Sequence, residues 1–130
     1  MTTDQLYRQQ VIDHYKNPRN LGVIKDTNIK QKLANRFCGD EIIVYLVVEN
    51  DKLKDFKFMP QGCAISVAAA SLLSEKIIGM EIKKILKLDI NFIEELLGTK
   101  LTSSRIKCGL LALDAVKQAL RKYIKKYNMT

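Results

Sequence analysis

The period of the hydrophobic pattern changes at Gly62, and that change narrows the folds open to this chain. Before it, residues 41–49 are rich in β-branched side chains, and residues 52–59 set Leu53, Phe56 and Phe58 among charged neighbours. Glu49-Asn50-Asp51-Lys52 between them is turn chemistry, so the two segments read as an antiparallel hairpin. A further strand is expected near residues 29–34. After Gly62, residues 64–78 are Ala-rich, with Ile65, Ala69, Leu72, Leu73 and Ile77 at helical spacing and Gly79 placed as a C-cap. Short helices are expected over 81–87 and, behind Asp89 as N-cap, up to Leu97, where Gly98 stops the chain. A last helix should start at Ser103 or Ser104 and run past Tyr123, turning Ile106, Leu110, Leu113, Val116 and Leu120 inward. One helix precedes the strands: Leu6, Tyr7, Val11, Ile12 and Tyr15 recur near helical spacing over 4–16, and Asn17-Pro18 ends it. Strands followed by helices define an α+β domain, a small three-stranded antiparallel sheet with helices packed on one face.

With 130 residues, 47% hydrophobic and 28% charged, the chain can bury a core without disulfides, so one domain over 1–130 is expected. No apolar run approaches the roughly 20 residues of a membrane span. Met1-Thr2-Thr3-Asp4-Gln5-Leu6 lacks the basic and apolar regions of a secretory signal. A cytoplasmic protein without membrane contact is the expectation. The net charge of +8 is local, because residues 101–130 carry seven basic side chains and one acidic. Lys117, Arg121, Lys122, Lys125 and Lys126 fall in the last turns of the final helix, where cations complement the dipole, so the basic end reads as a solvated helix face first and as a protein-partner surface second. Nucleic acid is not expected as a partner, since neither interleaved aromatics nor Gly-rich loops accompany those charges.

Three cysteines, Cys38, Cys63 and Cys108, are an odd number in a chain able to form its own core. That argues against a secreted disulfide framework and for thiols that are reduced, metal-bound or reactive. None belongs to a CxxC pair, so spacing is a weak metal signal. Their settings say more. Cys38 lies in the turn Phe37-Cys38-Gly39-Asp40, where Asp40 can bring a carboxylate near the thiol. Cys63 and Cys108 lie near helix N-termini, which favour thiolate, and Arg105 and Lys107 place positive charge beside Cys108. The residues alone leave two readings open. The thiols are small buried hydrophobes, Asp40 a turn former, Arg105 and Lys107 solvated and His14 a helix-face residue; or the three thiolates form a metal site.

Leu6-Tyr7-Arg8, His14-Tyr15-Lys16-Asn17-Pro18-Arg19-Asn20, Cys38-Gly39-Asp40, Gly62-Cys63-Ala64-Ile65-Ser66 and Arg105-Ile106-Lys107-Cys108 occur in this order. Together they resemble the IscU/SufU/NifU N-terminal family of iron–sulfur cluster assembly scaffold proteins, over nearly the whole chain. The resemblance implies the same fold, with Cys38, Asp40, Cys63 and Cys108 converging as ligands of Zn²⁺, Fe²⁺ or a transient [2Fe–2S] cluster. Arg105 and Lys107 would offset part of the negative charge. Soft thiolates hold such metals firmly, whereas a carboxylate is a harder, more exchangeable ligand, which suits a site that builds a cluster and releases it. Lys107 stands where the IscU branch has His, and Leu101-Thr102-Ser103-Ser104-Arg105 where that branch has a Leu-Pro-Pro-Val-Lys segment read by a chaperone. Arg-Ile-Lys-Cys and Leu-Tyr-Arg look more like SufU, without the insertion that SufU carries before this motif.

The resemblance implies a scaffold for a nascent [2Fe–2S] cluster, or an acceptor of persulfide sulfur at Cys38, partnered with a cysteine desulfurase and with apo iron–sulfur proteins. The alternative is a zinc-dependent sulfurtransferase of the SufU type with no scaffold role. A binding protein with a purely structural zinc is the reading from a different class. A scaffold or sulfur carrier fits these residues better than a true enzyme.

Overall fold

The computed structural model describes residues 3–37 and 39–127, with side chains from Arg8 onward. Its elements are α1 (Thr3–Lys16), β1 (Ile29–Asn35), β2 (Asp40–Glu49), β3 (Lys52–Gln61), α2 (Ala64–Ile77), α3 (Ile82–Ile85), α4 (Ile90–Leu97) and α5 (Ser103–Tyr127). The three strands form one antiparallel sheet in the order β1-β2-β3, as the pattern predicts. Asn50 and Asp51 both take positive φ, 55° and 60°, which a two-residue type I′ connection requires and short polar side chains tolerate. The strand spacing also holds a bulge. Val47 pairs with Asp55 and Val48 with Leu53, so Lys54 is the extra residue, and it returns Leu53 to the face of Phe56 and Phe58 despite their odd separation.

Each strand exceeds its predicted bounds towards one end of the sheet. The ladder continues through Asn35↔Asp40 and Glu41↔Gln61, carrying Asp40 into β2. Pro60 interrupts nothing: Phe58 sends its N–H outward to Asn20 O at 3.1 Å, and Pro60, two residues on, faces the same outer edge, where a missing N–H costs no ladder bond.

The inner face of the sheet presents Ile29, Ile42, Val44, Leu46, Leu53, Phe56 and Phe58, all buried. Each large side chain among them contributes about 1.5–3 kcal/mol by leaving water. The helical layer lies on this face, α2 against β3 and α5 against β1 and β2, with the two helices in contact. Their buried surfaces are rich in small residues, Ala68, Ala69 and Ala70 on α2 and Ala112, Ala115 and Ala119 on α5. On α5, Leu113, Val116 and Leu120 point inward as expected, while Ile106 and Leu110 are half-buried. Asp89 caps α4 by accepting from Asn91 N, and Gly98 closes it in the left-handed conformation. Gly79 acts differently from the expected cap: with φ +93° it donates its N–H to Leu53 O at 2.7 Å, tying the end of α2 to β3. The predicted helix over 81–87 is the single turn α3.

The face of α1 also differs from expectation. Ile12 and Tyr15 are exposed, and His14 is buried; the side chains of Leu6 and Tyr7 lie outside the described residues. His14 Nδ1 meets Ser71 Oγ at 2.7 Å, Arg19 N donates to the same hydroxyl at 2.9 Å, and Asn20 Nδ2 donates to Ser74 Oγ at 2.9 Å. Gly22 N then donates to Phe58 O. The His14-to-Asn20 motif therefore fastens α1 and the following loop to α2 and β3 through polar groups, which apolar periodicity does not register. Among the described residues, no helix is long and apolar enough to cross a membrane.

Candidate metal centre

Three chain segments meet at the end of the sheet where β2 begins. Asp40 is the first residue of β2, entered through Gly39 at φ +69°. Cys63 is the N-cap of α2, and Cys108 lies in the second turn of α5. A carboxylate oxygen of Asp40 and the two Sγ atoms all lie within 4.8 Å of one another. Asp40 and Cys108 are buried and Cys63 is half-buried, so the group is approached from the Cys63 side.

Asp40 is the hub. Its Oδ1 accepts the N–H of Cys63 at 3.0 Å; its Oδ2 accepts the Ser66 hydroxyl at 2.5 Å and faces the Cys63 thiol at 3.6 Å. Ser66 Oγ also lies 3.4 Å from Cys63 Sγ. Burial pushes the Asp40 carboxyl up, but hydrogen bonds from Ser66, the Cys63 N–H and the Cys108 and Cys63 thiols outweigh it and hold the group below the usual carboxylate range. The acid is thus ionised and aimed at both sulfurs. Gly62 makes room for it. A Cβ at that position would stand 2.6 Å from Asp40 Oδ1 and 2.9 Å from its Cγ, so this glycine is required for close approach rather than for a special backbone angle.

Of the residues singled out in the sequence, the structure brings Asp40, Cys63 and Cys108 together. Cys38 lies outside the described residues. Arg105 and Lys107 are exposed on the first turns of α5, and Lys107 Nζ sits over the Phe37 ring, 4.6 Å from its centroid. Cys108 is the sixth residue of α5, past the first turn, where the helix dipole has faded; its proximity to Asp40 rests on packing instead. Sequence reasoning gave no role to Ser66 or Gly62. Ser66 was within reach, since it lies three residues after Cys63 and a helix starting at Ala64 stacks the two. The part played by Gly62 depends on strand register and leaves no local signal.

The donor set fits a thiophilic metal ion. An ion about 2.0–2.3 Å from oxygen and sulfur ligands needs them some 3.3–3.8 Å apart, and the observed spread requires only a small contraction. Asp40 is already deprotonated, as a ligand must be. Fold and donors together define an α+β domain with a thiol–carboxylate site at one end of a three-stranded sheet. The NifU-like N-terminal domain model matches residues 6–130, and the chain belongs to that family.

Its relatives fall on both branches suggested by the motifs. The iron–sulfur cluster assembly scaffold protein IscU 1 of Archaeoglobus fulgidus is 35% identical, over 93% of this chain and 78% of that protein. The zinc-dependent sulfurtransferase SufU of Bacillus subtilis is 36% identical, over 92% of each. A crystal structure described as an iron–sulfur cluster assembly scaffold protein for the SUF system, from Fervidobacterium islandicum AW-1, superposes with a TM-score of 0.78 at 27% identity, covering 92% of this chain and 99% of that one.

Proposed function

We propose that this protein is an iron–sulfur cluster assembly protein, a single cytoplasmic domain that holds a nascent [2Fe–2S] cluster for transfer to apo-proteins. The observation that carries the reading is the convergence of Asp40, Cys63 and Cys108, with Ser66 and Gly62 holding the carboxylate against both sulfurs. Cys38 is proposed as the remaining ligand, from its motif. The relatives named as scaffolds support this assignment. A reducing compartment suits it, since the site works only with free thiols. Iron and sulfide are cargo here; the protein's part is to present charge-matched soft donors and one exchangeable oxygen.

Sulfur would arrive from a cysteine desulfurase. An accepting thiolate attacks the terminal sulfur of the donor's persulfide, a new S–S bond forms, and the donor cysteine leaves as thiolate. Cys38 is the proposed acceptor, with Lys107 and Arg105 supplying positive charge nearby. Anaerobic incubation with Fe²⁺ and sulfide should give visible absorption that is absent from a Cys38→Ser, Cys63→Ser, Cys108→Ser variant. No cluster under reconstituting conditions would remove the scaffold reading.

A second reading, a zinc-dependent sulfur acceptor, is favoured by Lys107 in place of His and by the extent of the match to the Bacillus subtilis sulfurtransferase. It requires Zn²⁺ in protein purified without chelator and a gain of one sulfur atom's mass on Cys38 after incubation with desulfurase and cysteine.

A further inference from the structure

Among the described residues, one buried side-chain polar atom has no hydrogen-bond partner, Asn35 Nδ2. Asn35 closes β1 and pairs with Asp40 in the β1–β2 register. Residues directly opposed in an antiparallel pair leave the sheet on the same face with Cβ atoms about 5 Å apart, so Asn35 and Asp40 project from neighbouring positions at the end of the sheet that carries the site. Both residues are buried, Asn35 at 9% and Asp40 at 2% exposure. Asn35 Oδ1 accepts the Phe37 N–H at 3.2 Å, which fixes the orientation of the amide and leaves both Nδ2 protons free. Although Asn35 also borders the groove formed by Phe37, Lys107 and Leu111, its Nδ2 is shut off from solvent, so water in that groove does not satisfy it.

A buried amide donor with no acceptor opposes folding, and in native proteins such a group has a reason. Here the missing acceptor has a place. A metal held by three thiolates and Asp40 carries net negative charge on its sulfurs, and N–H donors around such a site orient the ligands and tune the metal. Resting on the metal-binding reading above, we propose that Asn35 is a positioning residue whose Nδ2 donates an N–H···S hydrogen bond to a thiolate ligand once the metal is bound. The bond draws charge from the sulfur, tightening the metal and making the thiolate less nucleophilic.

Two variants test this with Co²⁺ as the probe, which reports thiolate ligation through its sulfur-to-metal charge-transfer band. Asn35→Leu removes donor and acceptor at similar size; Asn35→Ser keeps an oxygen for the Phe37 N–H but not the longer donor. Both should bind Co²⁺ about tenfold or more weakly, move the charge-transfer band to lower energy, and let iodoacetamide alkylate the metal-loaded thiols faster. Without metal, Asn35→Leu gives up the bond from the Phe37 N–H together with the unpaired Nδ2, so the two effects offset and its melting temperature should stay within about 4 °C of the wild type. Affinities within twofold and an unmoved band in both variants would overturn the proposal. So would a loss of metal-free melting temperature in both variants with an unmoved band, which marks a merely structural residue. If the wild type bound no Co²⁺, the metal-site reading itself would fail first.

Discussion

Replacing Gly62 with Ala tests the packing on which the site depends. The new methyl carbon would lie 2.6 Å from Asp40 Oδ1, whereas ordinary contact begins at 3.4 Å, so the oxygen must retreat by about 0.8 Å. Asp40 is enclosed and tied to Ser66 and Cys63, and it cannot retreat without losing the Cys63 N–H. Overpacking of this kind costs about 1–3 kcal/mol, and a hydrogen bond to a charged group about 1.5–3 kcal/mol. With partial relaxation the expected loss is about 3 kcal/mol, or about 10 °C in melting temperature for a chain of this size. Thermal unfolding of chelator-treated protein, followed by circular dichroism, measures it. The cause is isolated by repeating Gly62→Ala in an Asp40→Ala background, where the methyl meets no carboxylate and most of the penalty should vanish. A Gly62→Ala protein melting within about 2 °C of the wild type, or an equal penalty in both backgrounds, would refute the argument.

Ser66→Ala removes the 2.5 Å bond to Asp40 and should cost about 1.5–3 kcal/mol in urea unfolding of the metal-free protein at neutral pH. His14 is held below its usual pKa, by burial first and then by Arg19, against Glu75 and Asp13. The unfolded chain therefore takes up the proton more readily, so stability is full above the unfolded pKa of about 6.5 and declines as pH falls from there towards the lower folded value; His14→Gln should flatten urea midpoints compared at pH 7.5 and 5.5. Lys107→Gln breaks an exposed cation–π contact with Phe37 and should lower stability by less than about 1 kcal/mol in the same assay. A larger loss would mean that Lys107 has a structural role.

The fold was largely legible because its signals are local. Asn50-Asp51 can hold two left-handed residues, Asp89 and Gly98 bracket α4, and the period change at Gly62 separates strands from helices. The errors arose where a neighbouring element decides. Ile12 and Tyr15 share a helical pattern with Val11, yet α1 docks through His14 because α2 offers it Ser71. Gly79 sits where a helix cap belongs, yet its N–H goes to Leu53 on another element. The site divides similarly. Asp40, Cys63 and Cys108 were recognisable from their motifs, whereas nothing near Gly62 in sequence says that a carboxylate 22 positions earlier occupies its missing side chain.

The sequence by itself determined which donors this protein possesses and which elements carry them, because residue chemistry, turn preference and hydrophobic period act within a few positions. Only the tertiary structure decided what those donors do to one another. The Asn35↔Asp40 register, the space at Gly62 and the approach of α5 bring a carboxylate against two thiols and set Asn35, with its Nδ2 unpaired, opposite it in the ladder. Those relations are distances across the fold, set by how the sheet and helices pack.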